Sequence, residues 1–168
     1  MRASGNLCVR SRGAGVVMAC GLAMAVAAPG AVAQTEEEQA VRAVVERLFE
    51  GMLARDTAKM RETMSPVAQL LGRSQDGQTL RWGSVDGFLQ SVARGQGPGA
   101  NERIYNPEIR IDGELAAVWT FYTLHVGERF IHCGYDAFHL ARTDAGWKIV
   151  SIADTRRTEN CEPPRGPI

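Results

Sequence analysis

The last third of the chain constrains it most. Four alternating stretches, roughly 102 to 111, 114 to 126, 129 to 142 and 147 to 156, follow one another with turn residues at Asp112-Gly113, Gly127-Glu128 and Asp144-Ala145-Gly146. Runs of period two split by such turns form an antiparallel meander. A sheet with apolar side chains on both faces must be covered on both, and one cover is encoded upstream. Thr35 and Glu38 make a T-x-x-E capping box, so a helix begins at Glu36. Val41, Val44, Val45, Leu48, Phe49 and Met52 then give it one apolar stripe as far as about Arg55. Asp56 caps a second, short helix carrying Met60 and Met64, which ends before Ser65-Pro66. Asp76-Gly77 signals a hairpin joining Leu70-Leu71 to Leu80–Trp82, and Ser84 caps a third helix with Phe88, Leu89 and Val92. Helices first and the main sheet last predict an α+β fold, the long helix and two short ones packed in a curled antiparallel sheet.

Residues 1–33 are of another kind. Arg2, Arg10 and Arg12 make a basic start, Gly13 to Ala28 carry no charge, and Ala31-Val32-Ala33 is an A-x-A site, the pattern of a secretory signal peptide. Pro29-Gly30 ends the apolar run short of the about 20 residues that span a bilayer. Val17 to Cys20 loosely resembles a lipobox, but the apolar stretch continues past it. Cleavage after Ala33 leaves a domain over 34–162 and a flexible tail over 163–168. The whole chain has 168 residues with 19 basic and 19 acidic side chains; without the leader, 16 basic groups face 19 acidic ones. Neither a basic stripe for nucleic acid nor a polybasic membrane patch is present in that sequence. Cys8 and Cys20 leave with the leader, so Cys133 and Cys161 alone reach an oxidising compartment, where two cysteines in a small domain pair.

The element order over residues 35 to 157 resembles the nuclear transport factor 2-like superfamily, a cone-shaped α+β fold. The string HCGYDAFHLARTDAGWKIVSIADTRR (132–157), with Cys161 beyond it, resembles exported bacterial proteins near the lumazine-binding and polyketide cyclase-like branches. The resemblance implies an open pocket at the wide end of the cone, dimerisation through the sheet, no cofactor, and either small-molecule binding or proton-transfer chemistry. The superfamily includes ketosteroid isomerase, scytalone dehydratase and limonene epoxide hydrolase, but their catalytic sets do not align onto this chain residue by residue.

Strand parity then sorts the candidate residues. If Val126 and Arg129 flank a two-residue turn, His125 and His132 share one face and His139 projects from the other, so the histidines do not make a zinc site. With His132 lie Trp119, Phe121, Thr123, Asp136 and Phe138, a mixture of apolar walls and a few polar groups that reads as the ligand face. Asp136 falls opposite Trp119, where partial burial raises its pKa and suits it to general-base work, or where it accepts a hydrogen bond from the indole or a nearby hydroxyl. His132 and Asp136 are four residues apart along a strand, about 13 Å, too far to touch. The other face, with Val118, Tyr122, Leu124, Ile131, Cys133, Tyr135, Val150 and Ile152, is apolar enough to call for a second subunit. A bulge near Asn106-Pro107 would exchange the local face assignment. Pairing Arg142 with Trp147 sets Cys133 opposite Arg156 and brings Cys161 within reach of it for a disulfide; Asp154, Arg156 and Arg157 then sit beside the bridge as ion pairs or an anion site.

These readings predict an exported, dimeric cone-fold domain that binds a small, partly apolar organic molecule between the long helix and the sheet. Two alternatives stand beside it. One is a cofactor-independent isomerase, dehydratase or cyclase-like lyase with Asp136 or His132 as acid or base. The other is a protein-interaction module using the apolar sheet face.

Overall fold

A computed structural model describes residues 35–73 and 80–165. The expected leader, the Asp76-Gly77 turn and the last three residues of the tail lie outside them. No described helix is long and apolar enough to cross a membrane.

Helix α1, Glu36–Ala54, starts at the expected box: Thr35 Oγ1 accepts from Glu38 N at 3.2 Å, and Glu38 Oε2 accepts from Thr35 N at 2.8 Å. It ends where Arg55 turns left-handed, at φ 55°. Helix α2, Thr57–Thr63, is capped by the Asp56 carboxylate, and α3, Val85–Arg94, by the Ser84 hydroxyl. Arg55 does more than end a helix. Its guanidinium donates to the carbonyls of Val92, Gln96, Gly97 and Pro98, at 2.7 to 3.3 Å, and so ties the end of α3 and the following loop to the end of α1. Charged donors on carbonyls contribute about 1.5–3 kcal/mol each when well buried, less where water competes. Arg55→Ala is expected to lower the unfolding free energy by about 2–3 kcal/mol, read by urea denaturation; a loss below about 0.5 kcal/mol would show the loop holding itself.

The sheet has six strands in the order β2-β1-β6-β5-β4-β3. Strand β1 is Met64–Arg73, β2 Leu80–Ser84, β3 Ala100–Asp112, β4 Leu115–Val126, β5 Arg129–Thr143 and β6 Gly146–Asp154. The hairpin and the meander join through a parallel pair, β1 with β6. That ladder breaks between Met64 and Gln69, the stretch holding Pro66, which has no N–H to donate.

Three further bulges curl the sheet. Asn106-Pro107 supplies an extra residue to β3, where Tyr105 pairs Phe121 but Glu108 pairs Trp119. Ile131 is extra in β5, because Leu124 pairs His132 whereas His125 pairs Phe130. Val150 is extra in β6, because His139 pairs Ser151 whereas Leu140 pairs Ile149. Each raises the local twist and exchanges the faces beyond it. The hollow so formed holds α1: Val41, Val45 and Leu48 are buried with Val118, Phe138, Leu140 and Ile149.

The Ile131 bulge, and for Ile152 the Val150 bulge, corrects the expected faces. Val118, Tyr122, Leu124 and Ile152 turn toward the helices rather than away from them, and Trp119, Phe121 and Thr123 turn outward. The outward face is covered largely from within the chain. After β6 the backbone runs on beside β5, with Cys133 and Arg157 exchanging both N–H···O bonds at 2.9 Å. Cys133 thus pairs Arg157, not Arg156, because of the Val150 bulge. The Cys133–Cys161 disulfide is formed, Arg157 lies 5.5 Å over the Phe121 ring, and Asn106 Nδ2 donates to Pro164 O at 2.9 Å. Residues 163–165, expected to be free tail, include that acceptor.

Candidate functional site

A cavity of about 320 Å³ opens between the C-terminal half of α1, α3 and the concave side of the sheet. Leu48, Phe49 and Met52 of α1, Phe88 and Val92 of α3 and Leu70 of β1 make its apolar walls. Its polar floor is Glu102, Tyr122, His132, Asp136, Asp154 and Arg156. A second hollow, of about 430 Å³, lies beside Glu37, Arg142 and Trp147, but its rim is taken up by the Arg142–Glu37 and Arg47–Glu62 ion pairs. The first combines apolar walls with convergent polar groups, which is what binding sites for organic molecules require.

Asp136 is 2% exposed and its Oδ2 has no hydrogen-bond partner. A buried carboxylate without a partner is costly, so burial drives the group toward its neutral form. Burial first, and then the charge of Glu102 beside it, push Asp136 well above the ordinary carboxyl range. Glu102 reaches the same point from β3, and burial pushes it up to about 7. Asp136 donates to Glu102, so the two carboxyl groups share a proton.

Beside the pair, Tyr122 lies across from Gly134. A Cβ on Gly134 would stand 1.8 Å from Thr155 O, so only glycine allows the chain after β6 to approach β5 here. The Tyr122 hydroxyl is 2.9 Å from Thr155 O and 3.0 Å from His132 Nδ1. A carbonyl only accepts, which commits the hydroxyl proton to Thr155, and His132 must then donate from Nδ1 to the phenol oxygen. Burial, and then the Arg156 charge, lower the His132 pKa. The imidazole is therefore neutral with its lone pair on Nε2, a base held in one tautomer. Burial, followed by the Asp154 charge, keeps the phenol protonated. Arg156 and Asp154 form an ion pair. The floor thus offers a shared acid proton, a neutral imidazole and a locked phenol, a set able to hold a polar group or to move a proton.

Of the residues expected to line the site, His132, Asp136 and Phe138 do so. Trp119, Phe121 and Thr123 are on the opposite face. There Trp119 stacks on Tyr135 at 5.1 Å, Phe121 packs on Tyr105 and Tyr135, and Thr123 Oγ1 meets Tyr105 Oη at 3.3 Å. Asp136 pairs with Thr120 rather than Trp119, so the expected indole contact is not made. The histidines separate: His132 is on the floor, His125 packs on Phe130, and His139 Nδ1 is 2.8 Å from Ser151 Oγ. Among the described residues no group of three metal-ligating side chains gathers. Sequence reasoning missed Glu102 and Tyr122. The signal for Glu102 was the Asn106-Pro107 bulge, which lets Glu102 and the core residues Ile109 and Ile111 share a face despite unlike parity.

The sequence model of a family described as "Putative lumazine-binding" matches residues 36–153. No curated protein matches the chain significantly. Among solved structures, a nuclear transport factor 2-like protein of unknown function from Shewanella baltica is 22% identical, covers 76% of this chain and 100% of its own, and has a TM-score of 0.59. A protein from Kribbella flavida is 14% identical over 74% of this chain and 94% of its own, with a TM-score of 0.63. A "putative dehydratase" of the nuclear transport factor 2-like family from Streptomyces avermitilis is 14% identical over 71% and 95%, with a TM-score of 0.59. These likenesses are of fold, and they match the cone expected from the element order.

Proposed function

From the chain's membership of the lumazine-binding family of nuclear transport factor 2-like domains, we propose that it binds a small, partly apolar organic molecule in the cavity between α1, α3 and the sheet. The observation that carries this reading is Asp136 Oδ2, buried, without a partner and lining an apolar cavity. A ligand group that meets this atom removes the cost of leaving it unpaired. Export belongs to the same reading, because the basic and apolar start and the Cys133–Cys161 bridge both suit a periplasmic or secreted protein. A homodimer would use what stays open on the outer face, where Trp119 is 45% and Phe130 38% exposed.

The test is native mass spectrometry of protein purified from its own periplasm, alongside Val92→Trp, which fills the cavity from a half-buried position on α3. A small-molecule adduct is expected on the wild type and its loss on the variant, with both chains folded by circular dichroism. Equal occupancy in the two, or no adduct in the wild type, would remove the proposal.

One observation favours a second reading, proton-transfer catalysis of the isomerase or dehydratase kind: the Glu102–Asp136 pair, with Glu102 poised near neutral pH beside a neutral imidazole. Under it Asp136→Asn abolishes turnover while ligand capture persists.

A further inference from the structure

The cavity floor is unbalanced in charge. Glu102, Asp136 and Asp154 bring three carboxyl groups to it, Tyr122 and His132 bring neutral groups, and Arg156 is the one cation among the described lining residues. That guanidinium is already paired with Asp154. Neither Asp136 nor Glu102 forms an ion pair among the described residues. Among the described residues, the walls from α1, α3 and β1 supply apolar side chains and Ser91 but no charge.

We propose that the cavity takes an organic monocation, an amine on a small apolar or aromatic body, with its ammonium group against the Asp136 and Glu102 carboxyls. This rests on the ligand-binding reading above and narrows it. A neutral ligand can meet Asp136 Oδ2 with one hydrogen bond, but it leaves the negative charge of the proton-sharing pair uncompensated in an apolar hollow. An anion adds to that charge. An ammonium group cancels it and brings several donors to the oxygens of both residues, the two conditions under which a buried charge is tolerated. The body of the ligand then lies among Phe49, Phe88 and Phe138. The volume, at the low end of the about 300–1,000 Å³ of ligand pockets, suits one ring with a short chain. No covalent step is involved. The cation favours both carboxylates, so the shared proton leaves to solvent on binding.

Isothermal titration with 2-phenylethylamine, its neutral counterpart 2-phenylethanol and the anion phenylacetate tests this, at pH 5 and pH 8 in buffers of different ionisation heat. At pH 8 the amine is expected to bind about tenfold or more tightly than the alcohol, with net proton release, and phenylacetate most weakly. The advantage should shrink at pH 5, where both carboxyls are protonated. Asp136→Asn and Glu102→Gln, each verified as folded by its thermal transition, should each weaken the amine and spare the alcohol. If the alcohol equals the amine at pH 8, or neither variant moves the amine, the cation assignment is wrong and the cavity reading stands. If none of the three binds, the assignment falls too, while an adduct in the native spectrum of the purified protein would still uphold ligand binding.

Discussion

Cys161→Ser is expected to lower the unfolding free energy by about 3–4 kcal/mol, the loop-closure entropy of a bridge between residues 28 apart in sequence. For a domain of this size that is a large share of total stability. The effect should also be local. The bridge holds the segment that covers Phe121 and pairs Arg157 with Cys133. That segment begins with Thr155, whose carbonyl accepts from Tyr122 on the cavity floor, and Arg156, which pairs with Asp154. Amide exchange at Cys133 and Arg157 should therefore quicken before the meander opens, and ligand capture should weaken with it. Denaturation with and without a thiol reductant checks the cause: the reductant should reproduce the loss in the wild type and leave Cys161→Ser unmoved. Equal midpoints for wild type and variant would show that the tail docks without its bridge.

Much of the fold is legible in the sequence because its signals are local. The capping box at Thr35, the Asp56 and Ser84 caps and the turns at Gly113, Gly127 and Gly146 fix where elements begin and end, and the structure places them there. The parallel β1–β6 pairing was not legible, because it joins segments far apart through a ladder that Pro66 interrupts. The role of Arg55 was hidden for a similar reason. An arginine after a helix reads as solvated until the end of α3 and the loop after it, which carry its four carbonyl acceptors, fold back to it.

The site was legible by half, and the dividing line is one residue. His132, Asp136 and Phe138 share a parity within β5 and were read together correctly as a row. Joining that row to β4 required the register across the Gly127 turn, and Ile131 shifts it by one. Trp119, Phe121 and Thr123 were thereby exchanged for Thr120, Tyr122 and Leu124. A classification by alternation cannot detect an inserted residue whose side chain is itself apolar. The same shift, with the Val150 bulge for Ile152, dissolves the argument for a second subunit that rested on Val118, Tyr122, Leu124 and Ile152, since these cover the cavity and core.

The Asp136–Glu102 carboxyl pair, one buried and one partly buried, should make the protein more stable in mild acid than in mild base. Unfolded, Asp136 and Glu102 titrate near their ordinary values of 3.8 and 4.5; folded, both are raised, Glu102 to about 7. At neutral pH the native state therefore holds more protons than the unfolded chain, so stability falls as pH rises. The contribution is fully present below about pH 4 and is lost through the folded pKa, for Glu102 between about pH 4.5 and pH 7. Its size is on the order of 2–3 kcal/mol. Glu37 works in the opposite sense: the Arg142 hydrogen bond holds its carboxyl low, so its stabilisation disappears only in stronger acid. Urea denaturation at pH 5, 6, 7 and 8 reads the pair, beside an opposite contribution near the acid end from His132, whose lowered pKa is common to wild type and variant. The wild type should lose stability across that range, and Asp136→Asn should make the profile shallower, leaving the slope that burial of Glu102 produces, and exceed the wild type at pH 8. The amide keeps a donor for Glu102 and removes the proton that Asp136 holds in the native state and gives up on unfolding. A wild type as stable at pH 8 as at pH 5 would mean that water reaches the pair and that neither carboxyl is held neutral. A shallower profile in the variant than in the wild type reads the part that Asp136 contributes, because Glu102, His132 and the Arg142–Glu37 and Asp154–Arg156 pairs are present in both.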